Sequence, residues 1–202
     1  ADIVRELVDH LDLTGIVVMG QDWGGPIGMD VASRSPERVA GLVMGNTWFW
    51  PSSDRTMTMF SRTMGSWPLQ WLIRNRNFFV TGLMKRTLQA KLSDKEFAHY
   101  TDVVPTPESR EGIAVFPKEI LNSRSWLGEL EQRVAATLHD KPVSLVFGRK
   151  DPALASDATI ARWRREFPGA GYVELPDAGH YIQEDDPEAC VAAIREVLAA
   201  AG

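Results

Sequence analysis

The first part of the chain alternates between helical periodicity and continuous apolar runs. Over residues 1–11 apolar side chains recur every three or four positions, which predicts an amphipathic helix with Asp2 as its N-cap. Residues 16–19 then form an unbroken apolar run, typical of a strand that is buried on both faces of a parallel sheet. A helix over 26–35 and a second apolar strand over 39–44 follow. This order predicts parallel strands joined by a right-handed crossover.

The middle of the chain, residues 52–133, has no strand pattern. It contains short helical pieces, dense aromatic residues and repeated prolines. We predict that it is a helical cap inserted into a core formed by residues 1–51 and 134–202. The segment either holds a core of its own or presents an apolar face that covers a pocket, and the two interpretations are compatible.

Strand patterns resume in the last third of the chain. The segment 143–147 predicts a buried strand and 171–175 a further strand, separated by a helix that Ser156 or Asp157 can cap. A final helix is predicted over 187–200, with proline in its first turn. Alternating strands and helices indicate an α/β fold with a mostly parallel sheet.

Composition excludes several classes of function. The 202 residues are 44% apolar and 24% charged with a net charge of -5, which indicates a globular domain without a basic surface for nucleic acid or membranes. No apolar run reaches the roughly 20 residues of a membrane helix. A single cysteine, Cys190, excludes an intrachain disulfide, and no metal-ligand spacing or phosphate loop predicts a metal or another cofactor. The expected location is cytoplasmic, with an N-terminal targeting segment left open because the chain begins at Ala1.

Three ionisable residues, Asp22, Asp151 and His180, lie just after predicted strands. The carboxyl ends of parallel strands share one edge of a sheet, where sites form. Alone, these residues have ordinary explanations: a helix cap, a turn residue and a surface histidine. Together they follow the nucleophile, acid and base order of an α/β-hydrolase triad, which favours a catalytic site.

Asp22 lies in a segment typical of a nucleophile elbow, in which a sharp turn joins a strand to a helix. The central residue of such a turn is strained and needs small neighbours, here Gly20 and Gly24, with Gly25 behind them. A carboxylate at the centre selects attack on carbon to form an ester.

These motifs make the chain similar to the haloalkane dehalogenases of the α/β-hydrolase superfamily. Gly20-Gln21-Asp22-Trp23-Gly24-Gly25-Pro26 is the most specific match. The segment 116–120 resembles the end of the family's cap, and 147–151 and 179–185 resemble its acid and base loops. The resemblance implies an α/β-hydrolase fold with an inserted helical cap. Several N-terminal strands of the family, including a His-Gly loop with a second oxyanion donor, have no counterpart in this chain.

The resemblance also implies roles for individual residues. Asp22 would form an alkyl-enzyme ester and release halide, His180 would activate water, and Asp151 would orient His180. Trp23 would donate its indole N–H to the halide and its backbone N–H to the oxyanion. Some members carry the triad acid one strand earlier, where this chain has Asn46, so Asp151 is the expected acid. The implied partners are a small halogenated organic substrate, water and halide.

Four aromatic residues are candidates for lining the pocket: Trp48, Trp71, Phe116 and Trp126. Trp48 would lie at the pocket wall or the hinge of the cap. Trp71 and Trp126 are candidates for a second halide donor by residue type alone, and such side chains more often belong to a core.

Two other functions stay open. An epoxide hydrolase shares the elbow and the ester mechanism, but its two cap tyrosines match only Tyr100, and Gln21 stands where that family tends to have histidine. An inactive or interaction module is the other alternative, because the second oxyanion donor and half of the sheet have no counterpart. A missing N-terminal segment, another chain or a second copy in a homo-oligomer would then cover the edge of the first strand.

Overall fold

A computed structural model describes residues 1–202 and contains one four-stranded parallel sheet. The strands are β1 (Ile16–Asp22), β2 (Val39–Thr47), β3 (Val143–Gly148) and β4 (Gly171–Leu175), and they lie in the order β1-β2-β3-β4. Every neighbouring pair is parallel, which confirms the predicted α/β architecture.

Helices connect and cover these strands. They are α1 (Asp2–His10), α2 (Gly24–Arg34), α3 (Arg55–Met64), α4 (Trp67–Arg76), α5 (Lys85–Thr87), α6 (Asp94–Asp102), α7 (Glu111–Asn122), α8 (Arg124–Thr137), α9 (Asp157–Glu166), α10 (Ile182–Asp185) and α11 (Pro187–Ala200). A π-helical turn spans Phe79–Met84. No helix combines the length and the apolar character needed to cross a membrane.

The N-cap residues predicted from sequence can be compared with the observed helix starts. Ser156 caps α9, and its hydroxyl accepts the backbone N–H of Thr159 at 3.2 Å, as the sequence predicts. The predicted cap of α1 is wrong: Asp2 is the first helical residue, and Ala1 occupies the N-cap position. The Asp2 carboxylate lies 3.4 Å from the guanidinium of Arg5, one turn along the helix.

Burial differs between the strands. β2 has a partner on each side, and nearly all of its residues are buried. β1 pairs with β2 alone, and its residues other than Gly20 are partly exposed. The run 16–19 has the composition of a strand buried on both faces but is only partly buried, and β1 is the edge strand predicted for this chain.

The chain forms two compact units, one of residues 1–50 with 126–202 and one of residues 51–125. The first unit contains the sheet and a core in which α11 packs against the strands. The buried members of this core include Val43, Val146, Leu175, Ile182, Cys190 and Val197. Burying a side chain of this size contributes about 1.5–3 kcal/mol, so this packing holds the strand ends in place.

The second unit is helical and has its own core, centred on Met64, Ile73 and Ala114. The buried Gln70 amide donates to the carbonyl oxygens of Met64 at 2.8 Å and Ala114 at 2.7 Å, so its polar atoms do not weaken that core. The sequence places the end of this segment at residue 133, within α8, whereas the compact unit ends at residue 125. That the second unit acts as a cap stays a prediction.

Candidate active site

The turn after β1 holds Asp22 in an unusual backbone conformation. Its φ is +50°, in the left-handed region that few non-glycine residues adopt, and such a residue costs of order 1–3 kcal/mol. The hydroxyl of Thr47, on the neighbouring strand, donates to the Asp22 carbonyl oxygen at 2.6 Å and helps to fix the turn. The Asp22 side chain keeps 40% of its surface exposed, as a nucleophile elbow requires.

Two glycines make this turn sterically possible. A Cβ on Gly20 would lie 2.7 Å from the Gly25 Cα, and a Cβ on Gly25 would overlap the Thr47 side chain. Gly24, which the sequence also assigns to the turn, has open space where its Cβ would stand. The close approach of strand and helix therefore needs Gly20 and Gly25, and not Gly24.

The structure brings Asp22, Asp151 and His180 together at the carboxyl edge of the sheet. His180 Nδ1 lies 2.8 Å from Asp151 Oδ2, and His180 Nε2 lies 4.0 Å from Asp22 Oδ1. An ionised carboxylate only accepts hydrogen bonds, so Nδ1 carries the proton and the neutral ring keeps a lone pair on Nε2. The arrangement can therefore take up a proton next to the Asp22 carboxylate.

The pKa values of these three groups shift in directions that suit this arrangement. Desolvation raises the pKa of Asp22; the charge of His180 and the Trp23 backbone N–H only partly offset it. Desolvation would also raise the pKa of Asp151, but the hydrogen bond and charge of His180, together with the hydrogen bonds of Asn46 and Leu154, outweigh it, so the net shift is downward. Desolvation lowers the pKa of His180, but the hydrogen bond to Asp151 and the charges of Asp22, Asp151 and Asp185 raise it above the ordinary value. The site thus stabilises a histidine cation flanked by carboxylates.

The side chain of Asn46 holds Asp151 and the loops of Gly148 and Gly179 in place. This residue is fully buried and has a φ of +41°, a conformation that asparagine tolerates better than most residues. Its Nδ2 donates to Asp151 Oδ2 at 3.0 Å and lies near the carbonyl oxygens of Gly148 at 3.1 Å and Gly179 at 3.2 Å. Its Oδ1 accepts the Gly148 N–H at 2.7 Å. One amide therefore holds the end of β3, the acid and the loop that carries His180.

The remaining acceptors of Asp151 are also filled. Its Oδ1 accepts the backbone N–H groups of Ala153 at 2.9 Å and Leu154 at 3.1 Å. A buried carboxylate with this many donors is held in one orientation and stays ionised. The imidazole of His180 is therefore held from its Nδ1 side by a rigid partner.

Trp23 and Trp48 pack against each other beside the elbow. Their rings meet edge to face with centroids 5.1 Å apart, and both side chains are buried. The Trp23 backbone N–H bonds to the Asp22 carboxylate, which is the position the sequence predicts for an oxyanion donor. The indole N–H of Trp48 is buried and has no hydrogen-bond partner.

The other predicted lining residues are more dispersed. Trp126 is half-buried in α8, within the first unit. Trp71 on α4 and Phe116 on α7 belong to the second unit, and each exposes more than a third of its surface. The assignment of these residues and of Trp48 to a pocket stays a prediction. No group of three or more His, Cys, Asp and Glu residues is placed to hold a metal ion.

Sequence reasoning missed three residues of this site: Gln21, Asn46 and Thr47. From sequence, Asn46 indicates only that no acid follows β2, and Gln21 indicates only a difference from the epoxide hydrolases. One signal was available, because Asn46 and Thr47 directly follow the apolar core of a strand whose carboxyl end shares the edge with Asp22.

Comparison with known proteins gives a consistent picture. The chain matches the protein family described as alpha/beta hydrolase fold over residues 1–187. It is 46% identical over 196 residues to haloalkane dehalogenase 2 of Mycobacterium tuberculosis, covering 97% of this chain and 68% of that protein. It is 28% identical over 189 residues to the haloalkane dehalogenase of Psychrobacter cryohalolentis, covering 92% of this chain and 61% of that protein.

A solved structure agrees with these relatives. The crystal structure of haloalkane dehalogenase DbeA from Bradyrhizobium elkani has a TM-score of 0.84 at 25% sequence identity. The match covers 96% of this chain and 70% of that chain. The similarity therefore extends over both compact units.

Proposed function

We propose that this chain, which belongs to the haloalkane dehalogenase family of the α/β-hydrolase fold, hydrolyses a small haloalkane to an alcohol and halide through an ester on Asp22. Its family makes it a hydrolase. One observation carries the mechanism: His180 Nε2 lies 4.0 Å from Asp22 Oδ1 while Asp151 holds Nδ1. A base beside a carboxylate nucleophile suits a reaction in which an ester forms and is then hydrolysed.

In the first step a carboxylate oxygen of Asp22 attacks the carbon that bears the halogen. The new carbon–oxygen bond forms as the carbon–halogen bond breaks, and the halide leaves with the bonding electron pair. A halide needs no proton to leave, so His180 takes no part in this step. The Trp23 indole N–H is a donor only, which suits the developing negative charge on the halogen.

In the second step His180 takes a proton from water through Nε2, and the water oxygen attacks the carbonyl carbon of the Asp22 ester. The tetrahedral oxyanion accepts the Trp23 backbone N–H, which already bonds to this carboxylate. Collapse breaks the bond to the alkoxy oxygen, which takes the proton from His180 and leaves as the alcohol. Asp22 is left as a carboxylic acid and returns to the carboxylate by losing the second proton of the water to solvent. The ionised Asp151 stabilises the transient imidazolium.

An epoxide hydrolase would use the same carboxylate and base, so the elbow alone does not separate the two activities. The difference lies in what accepts the developing charge. An epoxide oxygen stays attached to the substrate and needs a proton donor, whereas a halide departs and needs only N–H groups around it. Residues 52–133 contain a single tyrosine, Tyr100, where an epoxide hydrolase uses two to donate to the epoxide oxygen, and this favours the halide.

Product analysis with 1-bromobutane and styrene oxide tests this proposal. We expect the 202-residue chain to release bromide and 1-butanol in equal amounts from the bromoalkane, above the uncatalysed rate. Opening of the epoxide without bromide release would favour an epoxide hydrolase. Neither product, from a folded protein, would favour an inactive interaction module.

A further inference from the structure

The side chain of Gln21, on β1 immediately before Asp22, contacts His180 at two points. Its Nε2 lies 2.8 Å from His180 Nε2 and donates to the His180 carbonyl oxygen at 3.1 Å. Because Asp151 holds the protonated Nδ1, the ring nitrogen that faces Gln21 carries a lone pair and accepts from the amide. Both amide protons of Gln21 are therefore used to hold one residue.

We propose that Gln21 is a positioning residue that keeps His180 neutral, with its Nε2 lone pair available, until the ester on Asp22 has formed. This inference rests on the proposed function, because it assigns Gln21 a role in the second step of that reaction. Nothing in the first step requires His180 to carry a charge. A cation formed too early could not accept the proton of the water.

The amide N–H of Gln21 favours the neutral form of His180 over the cation. A protonated Nε2 would point an N–H at the amide N–H of Gln21, so the hydrogen bond exists only with the neutral ring. The negative groups around His180 act in the opposite sense: Asp22 on β1, Asp151 after β3 and Asp185 on α10 all favour the cation. Tyr181 is the other titratable residue that contacts His180. Its ring lies edge to face with the imidazole, with the ring centroids 4.8 Å apart.

The hydrolytic water must take the place of the Gln21 N–H on His180 Nε2. Once the proton has moved to Nε2, that nitrogen can no longer accept from the Gln21 amide. Gln21 therefore stabilises the neutral ring and not the cation, since only an unprotonated Nε2 can accept its N–H. A side chain without an N–H donor cannot hold the neutral state.

Gln21→Met tests the proposal, because methionine has a similar length and no donor. A hydrogen bond to the neutral ring is worth about 1 kcal/mol, so its loss should raise the titration midpoint of His180, followed by imidazole NMR, by about 0.5–1 pH unit. In single turnovers with 1-bromobutane, the pH dependence of ester hydrolysis should move upward by the same amount, while bromide release in the first step changes by less than about twofold.

Gln70→Met is the matched control, since Gln70 is also an amide that donates two hydrogen bonds, in the other compact unit. It should leave the His180 midpoint unchanged. In the unmodified protein labelled with nitrogen-15, we expect a scalar coupling across the Gln21 N–H···N bond, and this measurement does not depend on the variant folding. An unchanged midpoint in Gln21→Met, or no coupling in the unmodified protein, would overturn the inference. A shifted midpoint without any bromide release would support the Gln21–His180 interaction and reject the dehalogenase proposal alone.

Discussion

Replacing His180 with phenylalanine is expected to stop turnover after a single alkylation. The ring volume is kept, but no group remains to take a proton from water, so ester hydrolysis should slow by about 10²–10⁴-fold. The first step needs no base, and bromide should appear as a burst of one equivalent per enzyme. Mass spectrometry should then find the alkyl group on the peptide that contains Asp22.

His139→Phe is the control for this experiment, because His139 is exposed and pairs only with the neighbouring Asp140. That variant should turn over like the unmodified enzyme and carry no adduct. A His180→Phe protein that is folded but forms no adduct, or forms it on another residue, would contradict the order of steps proposed above.

Asp22→Asn should remove both the bromide burst and the adduct. An amide oxygen is a far weaker nucleophile than a carboxylate, and we expect a loss on the order of 10⁴-fold or more in turnover. Asparagine tolerates the positive φ of this position. The folded protein raises the pKa of Asp22, so at neutral pH the fold disfavours its charge, and removal of that charge should leave the melting temperature equal or higher. Substantial turnover in this variant would remove Asp22 from the mechanism.

Trp23→Phe should reduce activity less than Asp22→Asn and should affect only the first step. It keeps an aromatic ring against Trp48 and keeps the backbone N–H, but it removes the indole donor. The first step should slow by about 10²-fold, the typical cost of one donor to developing charge, while ester hydrolysis is unchanged. An unchanged rate of bromide release would mean that the indole of Trp23 does not bind the halide.

The parts of the fold that could be predicted are those with strong local signals. Mostly apolar runs predicted β2 and β3, and a cap residue predicted the start of α9. The convergence of Asp22, Asp151 and His180 followed from topology alone, because parallel strands place their carboxyl ends at one edge. No contact had to be known for that inference.

The parts that could not be predicted depend on contacts between distant residues. Asn46 donates to the carbonyl oxygens of Gly148 and Gly179, which lie 102 and 133 positions further along the chain. The sequence around Asn46 does not predict these partners. The contact of Gln21 with His180 joins residues 159 positions apart. The partial exposure of β1 likewise depends on what packs against it, which its apolar composition does not encode. Hydrophobic periodicity predicts the local structure of a residue but not its contacts with residues that are distant in sequence.

The covalent role of Asp22 can be tested most directly by one turnover in water enriched in oxygen-18, with enzyme in excess over 1-bromobutane. If water attacks the carbonyl carbon of an Asp22 ester, the alcohol carries an ordinary oxygen from the enzyme. The Asp22 peptide then becomes about 2 Da heavier, because one carboxylate oxygen now comes from the water. If water instead displaces bromide directly from the substrate, the alcohol carries the heavy oxygen and the Asp22 peptide is unlabelled, which would contradict the proposed mechanism.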